Sequence, residues 1–208
     1  VDNTIATPIL QNPISLGADI VMHATTKYIG GHSDVLGGAI IVRDDDEWSA
    51  RLKRVQILMG ATHNPLDCYL LARGLKTLPL RMREHSATAL ALAQRLEKHS
   101  AIEQVHYPGL PSHPQHALAK RQMPHGFSGM ISIQIKGDEA NARRVASELK
   151  LFQQATSLGG VESLVEHRRS IEGPDSKTPG NLLRLSIGLE HVDDLWEDLN
   201  SSLMPKKL

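Results

Sequence analysis

Apolar and polar positions in the first third of the chain form short blocks separated by turns. ADIVMHA (residues 18–24) predicts a buried strand, and GGAIIVR (37–43) predicts a second one. The next stretch, DDDEWSARLKRVQILMG, predicts a helix because acidic residues fill its first turn and Gly60 follows its end. Strands that alternate with helices indicate an α/β fold, whose ligands bind beyond the carboxyl ends of the strands.

The middle of the chain predicts one long helix over residues 79–99. Apolar side chains recur there at helical spacing, namely Leu78, Met82, Ala89, Ala93 and Leu96. We interpret this helix as the connector between two domains.

Strands and helices continue to alternate after the connector. IEQVHY, GMISIQI and LLRLSIG predict strands, and PQHALAKRQM, DEANARRVASELK and HVDDLWEDLNSSLM predict helices. The last of these helices carries an apolar face of Val192, Leu195, Trp196, Leu199 and Leu203. EGPDSKTPGN (172–181) predicts a loop, and PKKL forms a basic tail. The mixture predicts a small α/β or α+β sandwich.

Composition narrows the classes of function. The 208 residues carry 23 basic and 23 acidic side chains, so neither nucleic acid nor a membrane is expected as a partner. The single cysteine, Cys68, predicts a reducing compartment, here the cytoplasm, and its helical context predicts a buried small side chain. The chain opens on Val1 in mid-element, so we expect it to be a piece of a longer chain.

The stretch HATTKYIGGHSD places Lys27 directly after the first predicted strand, between two threonines and a Gly-Gly pair. Most lysines are solvated surface charges. Here hydroxyls and glycine N–H groups can hold a phosphate, and a partly desolvated lysine is a nucleophile toward carbonyls. The combination indicates a Schiff-base lysine for pyridoxal phosphate (PLP). Asp2 is a candidate partner for the pyridine nitrogen, although spacing alone favours a turn residue.

The chain resembles the Cys/Met-metabolism PLP-dependent enzymes of transsulfuration along nearly its whole length. The resemblance is carried by VDNT, LGADIV, TTKYIGGHSDVLGG, RGLKTLPLRM, YPGLPSHPQH, SLGGVESL and LLRLSIGLE. It implies a type I aminotransferase-like α/β fold. Residues 1–76 would be the second half of the cofactor domain, and residues 77–208 would be the C-terminal domain with its linking helix.

The resemblance also implies roles for individual residues around the cofactor. Lys27 matches the lysine that binds PLP covalently and moves protons between substrate carbons. Asp2 matches the pyridinium partner, and Thr26 matches a hydroxyl that holds the phosphate. The family usually has serine where this chain has Ala24, so Thr25 would compensate or one phosphate contact is lost.

Three further residues match substrate contacts of the family. Arg184 matches the arginine that grips the α-carboxylate, a geometry that suits a guanidinium fork; the alternative is a surface ion pair. Ser163 matches a second carboxylate contact. Glu162 matches a glutamate that could meet the distal ammonium of cystathionine, and the alternative is a solvated side chain.

The match breaks at two places. The connection VEHRRSIEGPDSKTPGN is shorter than in the family and is basic at Arg168 and Arg169. The family's ring-stacking tyrosine, phosphate loop and N-terminal arm are not in this sequence, so it would hold roughly half an active site.

Two other candidate sites are less favoured. His106, His113 and His116 could be metal ligands, but no Cys, Asp or Glu nearby in sequence completes a set, so we predict a surface loop or an inter-domain contact and no metal. His32 is predicted to be a hydrogen-bonding residue near the cofactor loop.

We therefore predict a PLP-dependent enzyme that acts at the γ-carbon of cystathionine or of an O-activated homoserine. A small amino acid would be the substrate, and the resemblance implies a homo-oligomer, a homotetramer in full-length members. The sequence tilts slightly toward the lyase over the synthase. The alternatives are an O-acylhomoserine sulfhydrylase, a methionine γ-lyase, and an inactive fragment.

Overall fold

The computed structural model describes residues 1–173 and 175–204. Its helical elements are α1 (Thr7–Leu10), a 3-10 turn (Pro13–Leu16), α2 (Glu47–Met59), α3 (Pro65–Leu96), α4 (His116–Gln122), α5 (Glu139–Glu148), α6 (Arg168–Glu172) and α7 (Val192–Leu203). Its strands are β1 (Ile20–Ala24), β2 (Gly38–Val42), β3 (Ile102–His106), β4 (Met130–Ile135), β5 (Gln153–Gln154), β6 (Leu164–His167) and β7 (Leu182–Ser186). The expected tail PKKL, and Pro174 within the expected loop, lie outside the described residues.

The first unit is built on the antiparallel pair β1–β2, and the start of the chain lies beside it through a parallel bridge of Asp2 to Met22. Both predicted strands and the helix after them are confirmed. The prediction that the strands are buried is wrong for one face. Val21 is buried, whereas Met22 is 38% and Ile40 56% exposed. Successive side chains point to opposite sides of a strand, so burial on one side leaves the other open.

Helix α3 begins at Pro65, well before the predicted start at Pro79. Asn64 caps it by accepting a hydrogen bond from the backbone of Asp67, and proline suits the first helical position. Pro79 lies inside the helix, where it removes the hydrogen bond to the carbonyl of Leu75, a residue 47% exposed to water. The domain boundary expected at residues 76 and 77 thus falls within α3.

The second unit is a five-stranded sheet in the order β3-β4-β7-β6-β5, antiparallel except for the pair β5–β6. One face packs under α3, α5 and α7 and forms the main core, which includes Leu92, Ile133, Val145, Leu185 and Leu199. The strands and helices predicted beyond residue 100 are confirmed. The sequence did not predict β5, β6 or α6. In the case of β6, the strand is short and carries a charged residue, Glu166.

The residue after the lysine joins the two units. The Tyr28 side chain is fully buried, and its hydroxyl oxygen accepts hydrogen bonds from the Ser128 hydroxyl and the Gly129 N–H, both at 3.1 Å. The ring of His85, on α3, packs edge-on against it at 5.2 Å between centroids. Burial is the main cause that raises the pKa of the Tyr28 hydroxyl, so this hydroxyl stays neutral.

Cys68 is exposed, so the prediction that it is buried is wrong. Its neighbours on α3, Leu66 (64%) and Tyr69 (63%), are also exposed. Within residues 1–173 and 175–204, no helix combines the length and the apolar character needed to span a membrane.

Replacing Tyr28 by phenylalanine tests the junction. Tyr28→Phe leaves two buried donors, on Ser128 and Gly129, without their acceptor, so we expect a loss of about 1–3 kcal/mol in the free energy of unfolding. Urea denaturation of the 208-residue chain measures it. The control is Tyr69→Phe at an exposed tyrosine, where we expect a change within about 0.5 kcal/mol. Equal effects of the two substitutions would contradict the role given to the Tyr28 hydroxyl.

Candidate active site

The turn after β1 holds Lys27 through its own backbone bonds. The N–H of Lys27 donates to the carbonyl of Ala24 at 3.1 Å, and the Gly31 N–H donates to the carbonyl of Lys27 at 2.8 Å. Gly31 has a φ of +73°, and a Cβ there would lie 2.2 Å from the guanidinium of Arg81. Glycine is therefore required both by the backbone conformation and by the closeness of α3.

Arg81 fixes this turn from α3. Its buried guanidinium donates to the carbonyls of Tyr28 (2.6 Å) and Gly74 (2.8 Å) and to the Thr77 hydroxyl (3.0 Å). Among the described residues no carboxylate pairs with it, and burial lowers its pKa. Burying a cation whose hydrogen-bond acceptors are all neutral costs free energy. The hydrogen bonds of Arg81 hold this turn in place at that cost.

The amine of Lys27 meets the second unit at Ser157. Nζ of Lys27 donates to Oγ of Ser157 at 3.2 Å. Ser157 follows β5 and lies in SLGGVESL, but sequence reasoning drew only Ser163 and Glu162 from that motif. The signal that could have identified Ser157 was its place at the start of a glycine-rich turn after a strand.

A cavity of about 490 Å³ opens beside this contact. Both units line it, the first with Thr26, Ser33 and Asp34 and the second with Ser157 and Glu162. The Ser33 hydroxyl donates a hydrogen bond to the Glu162 carboxylate, which ties the units together across the cavity. Glu162 thus lines the same cavity as Ser157, the contact partner of Lys27.

The two threonines before the lysine lie in different surroundings. The Thr26 hydroxyl lines the cavity, accepts from the Gly37 N–H at 2.9 Å and donates to the Gly37 carbonyl at 3.3 Å. Thr25 lines a separate, apolar cavity of about 410 Å³, and its buried Oγ1 has no hydrogen-bond partner among the described residues. The structure therefore does not bring the Thr25 and Thr26 side chains together.

Asp2 ends the opening segment on the other side of β1. Its carboxylate accepts from the Thr4 N–H at 2.9 Å, and the hydrogen bonds from Thr4 are the main cause that lowers its pKa. Nearby, burial is the main cause that lowers the pKa of His23, partly offset by the Asp2 charge. Asp2 is thus an ionised turn residue in this structure.

Arg184 lies on the face of the second sheet opposite the main core. Alternation along β7 puts Leu183 and Leu185 in the core and Arg184 on the opposite side. Its Nη2 lies 2.5 Å from the Glu166 carboxylate and donates to the carbonyls of Thr156 (2.6 Å) and Ser157 (3.2 Å). Burial is the main cause that lowers the Arg184 pKa, and Glu166 opposes it. The expected carboxylate-binding residue is therefore next to the backbone of the serine that meets Lys27.

Ser163 is buried behind the site. Its hydroxyl donates to the Glu190 carboxylate at 2.8 Å and accepts from the Gly188 N–H at 2.8 Å. Its backbone N–H also donates to Glu190 at 2.8 Å. These bonds fix the loop that carries Glu162, so Ser163 occupies a supporting position in this structure.

The histidines form structural contacts. The His32 ring contacts the Gly30 carbonyl through Nδ1 at 2.9 Å, which confirms the predicted hydrogen-bonding role. His106 contacts Gln134 and His116 contacts the Pro108 carbonyl, each at 2.8 Å. In the described part of the chain, no three His, Cys, Asp or Glu side chains meet in a way that could hold a metal.

Comparison with known proteins identifies the class. Residues 1–204 match the family described as Cys/Met metabolism PLP-dependent enzyme. The chain is 47% identical over 210 residues to a cystathionine β-lyase of Coxiella burnetii (97% of this chain, 54% of that one) and 48% identical over 208 residues to a cystathionine γ-synthase of Mycobacterium tuberculosis (98% and 53%). It is 48% identical over 211 residues to a cystathionine γ-lyase of Mus musculus (98% and 52%).

Solved structures agree with these relatives. The chain superposes with a TM-score of 0.93 on a cystathionine γ-synthase from Xanthomonas oryzae pv. oryzae in complex with cystathionine, at 45% identity, with 98% of this chain and 54% of that one covered. A methionine γ-lyase from Micromonospora echinospora gives 0.91 at 43% identity, with the same coverage. The chain belongs to the Cys/Met-metabolism PLP-dependent enzymes, and the predicted type I α/β fold is confirmed. It spans about half the length of these relatives.

Replacing Gly31 by alanine tests how tightly the lysine turn is built. Gly31→Ala adds a methyl group 2.2 Å from a guanidinium that four hydrogen bonds hold in place. We expect a loss of about 1–2 kcal/mol for the left-handed backbone and roughly 1–3 kcal/mol more for the overlap. The measurement is urea denaturation.

Gly60→Ala is the matched control, because Gly60 has a φ of +65° and nothing within 4 Å of its Cβ position. It should show the backbone cost alone. Equal losses at the two glycines would contradict the close contact between the turn and Arg81.

Proposed function

We propose that this chain is the lysine-bearing part of a PLP-dependent transsulfuration enzyme that acts at the γ-carbon of cystathionine or of an O-activated homoserine. One observation carries the proposal: the Lys27 amine contacts Ser157 at 3.2 Å, and Arg184 contacts the backbone carbonyl of the same serine at 3.2 Å. A nucleophilic amine and a carboxylate-binding cation thus meet at one turn, as an amino-acid substrate requires.

The residues around Lys27 suit PLP. The Lys27 amine contacts Ser157, which lines a cavity of about 490 Å³ together with the Thr26 and Ser33 hydroxyls. Such hydroxyl donors suit an aldehyde that bears a phosphate. Lys27 would hold the cofactor covalently, Thr26 would bind its phosphate, and Asp2 would keep its ring nitrogen protonated. Thr25, which lines the separate apolar cavity, would make no phosphate contact. Bound PLP supplies an electron sink for a substrate carbanion.

The substrate would be held from the second unit. Arg184 would bind the α-carboxylate bidentately, and Glu162 would meet a distal ammonium from the cavity wall. A direct contact of Ser163 with the carboxylate would compete with the bonds that its hydroxyl already makes to Glu190 and Gly188. Lys27 would move protons between the α- and β-carbons as general base and acid, with Ser157 orienting its amine.

We also propose a cytoplasmic homo-oligomer, a homotetramer in its full-length form. Support for association comes from the end of α2, where Ile57, Leu58 and Met59 are 77%, 74% and 76% exposed. An apolar group of this kind on a surface helix favours contact with another protein surface.

Covalent labelling tests the cofactor proposal. The 208-residue chain is incubated with PLP, reduced with borohydride and analysed by intact mass and peptide mapping. We expect a label on Lys27 that is lost in Lys27→Ala and kept in Lys98→Ala, which changes an exposed lysine. The same labelling is carried out on a full-length form of the protein. A label on Lys27 in the full-length form alone would support the alternative of an inactive fragment. Absence of label on Lys27 in both forms would overturn the proposal.

A substrate panel tests the reaction. The relatives at 47–48% identity include a β-lyase, a γ-synthase and a γ-lyase, so kcat/KM must be compared directly for cystathionine, an O-acylhomoserine with cysteine or with sulfide, and methionine. We expect cystathionine, or the O-acylhomoserine with cysteine, to be turned over fastest. Preference for sulfide would favour the sulfhydrylase, and preference for methionine the methionine γ-lyase.

A further inference from the structure

Glu166 is a buried acid on the face of the second sheet opposite the main core. It lies on β6, and the strand register places it directly opposite Arg184 on β7. Its side chain is only 3% exposed, and its neighbour Val165 points to the opposite side, into the main core. The family resemblance assigned no role to this residue.

The Glu166 carboxylate lies between two arginines. One of its oxygens lies 2.5 Å from Nη2 of Arg184, and the other lies 3.2 Å from Nη1 of Arg168. Arg168 belongs to α6, in the shortened connection, and also contacts Glu172 at 2.7 Å. A carboxylate this deeply buried is stable only when it is paired, so Glu166 and its two arginines form one unit.

Hydrogen bonds connect Glu166 and its two arginines to Lys27. The Arg184 guanidinium that contacts Glu166 also donates to the carbonyls of Thr156 and Ser157, and the Ser157 hydroxyl accepts from the Lys27 amine. Arginine has a long side chain with several rotatable bonds, and the register fixes only its backbone. A charged neighbour at 2.5 Å selects one of the orientations that the strand allows.

We propose that Glu166 is a positioning residue that holds the Arg184 guanidinium in the orientation needed for a substrate carboxylate and, through Arg184, holds the Thr156–Ser157 backbone against Lys27. The proposal rests on the proposed function for the identity of the substrate. It adds a residue, and a link to the shortened connection, that the family pattern does not supply.

Steady-state kinetics of the full-length holoenzyme that carries this chain test the positioning role. In Glu166→Gln, which keeps the shape of the side chain and removes its charge, we expect KM to rise roughly tenfold while kcat changes by less than about threefold. A substrate whose α-carboxylate is replaced by a carboxamide should lose this difference, because Arg184 then has no anion to meet. Glu172→Gln is the control, since Glu172 contacts Arg168 and not Arg184, and its KM should stay within about twofold.

A spectroscopic readout separates positioning from simple stability. In the 208-residue chain, the ¹⁵N–¹H guanidinium resonances of Arg184 should shift and broaden in Glu166→Gln and stay unchanged in Glu172→Gln. Unchanged Arg184 resonances together with an unchanged KM would overturn the proposal, as would lost stability with normal kinetics. If the parent enzyme turns over no substrate of the panel, the proposed function fails, and the resonances alone decide the role of Glu166.

Discussion

The buried side chain of Tyr28 is the contact on which the rest of the structure depends. Tyr28 follows Lys27 directly in sequence, so the contacts that hold the tyrosine side chain also hold the backbone of the lysine. The hydroxyl is bonded to Ser128 and Gly129 in the second unit, and the ring lies against His85 on the connecting helix. One residue thus ties the loop that carries the amine to the second unit and to the connecting helix.

Helix α3 contributes the second constraint, a cation. The Arg81 guanidinium donates hydrogen bonds to the carbonyl of Tyr28 and to the carbonyl of Gly74 in its own helix. Hydrogen bonds from a charged donor are worth more than neutral ones, and in a buried place they cannot be replaced by water. The Gly-Gly pair after the lysine has its physical reason here, because a side chain at Gly31 would occupy the space of the guanidinium.

The two faces of the second sheet carry different kinds of side chain. Aliphatic side chains of β4 and β7 fill the core under the helices, and the alternate positions carry polar groups such as Ser132 and Arg184. Glu166 belongs to this polar face, and its charge is compensated by residues from β7 and α6. The shortened connection is therefore linked to Arg184 through the ion pairs of Glu166.

The sequence alone determined the α/β order of elements, the place of Lys27 beyond a strand and the family, because these depend on local periodicity and on motifs read in order. It did not predict the start of α3, since Pro79 looks like a boundary until Asn64 is seen to cap the helix. Sequence reasoning did not identify the contact of Ser157 with the lysine or the ion pair of Glu166 with Arg184. Lys27 and Ser157 are 130 positions apart in sequence, and Glu166 and Arg184 are 18 positions apart on paired strands. Only the packing of the two units and the pairing of the strands brought these residues into contact.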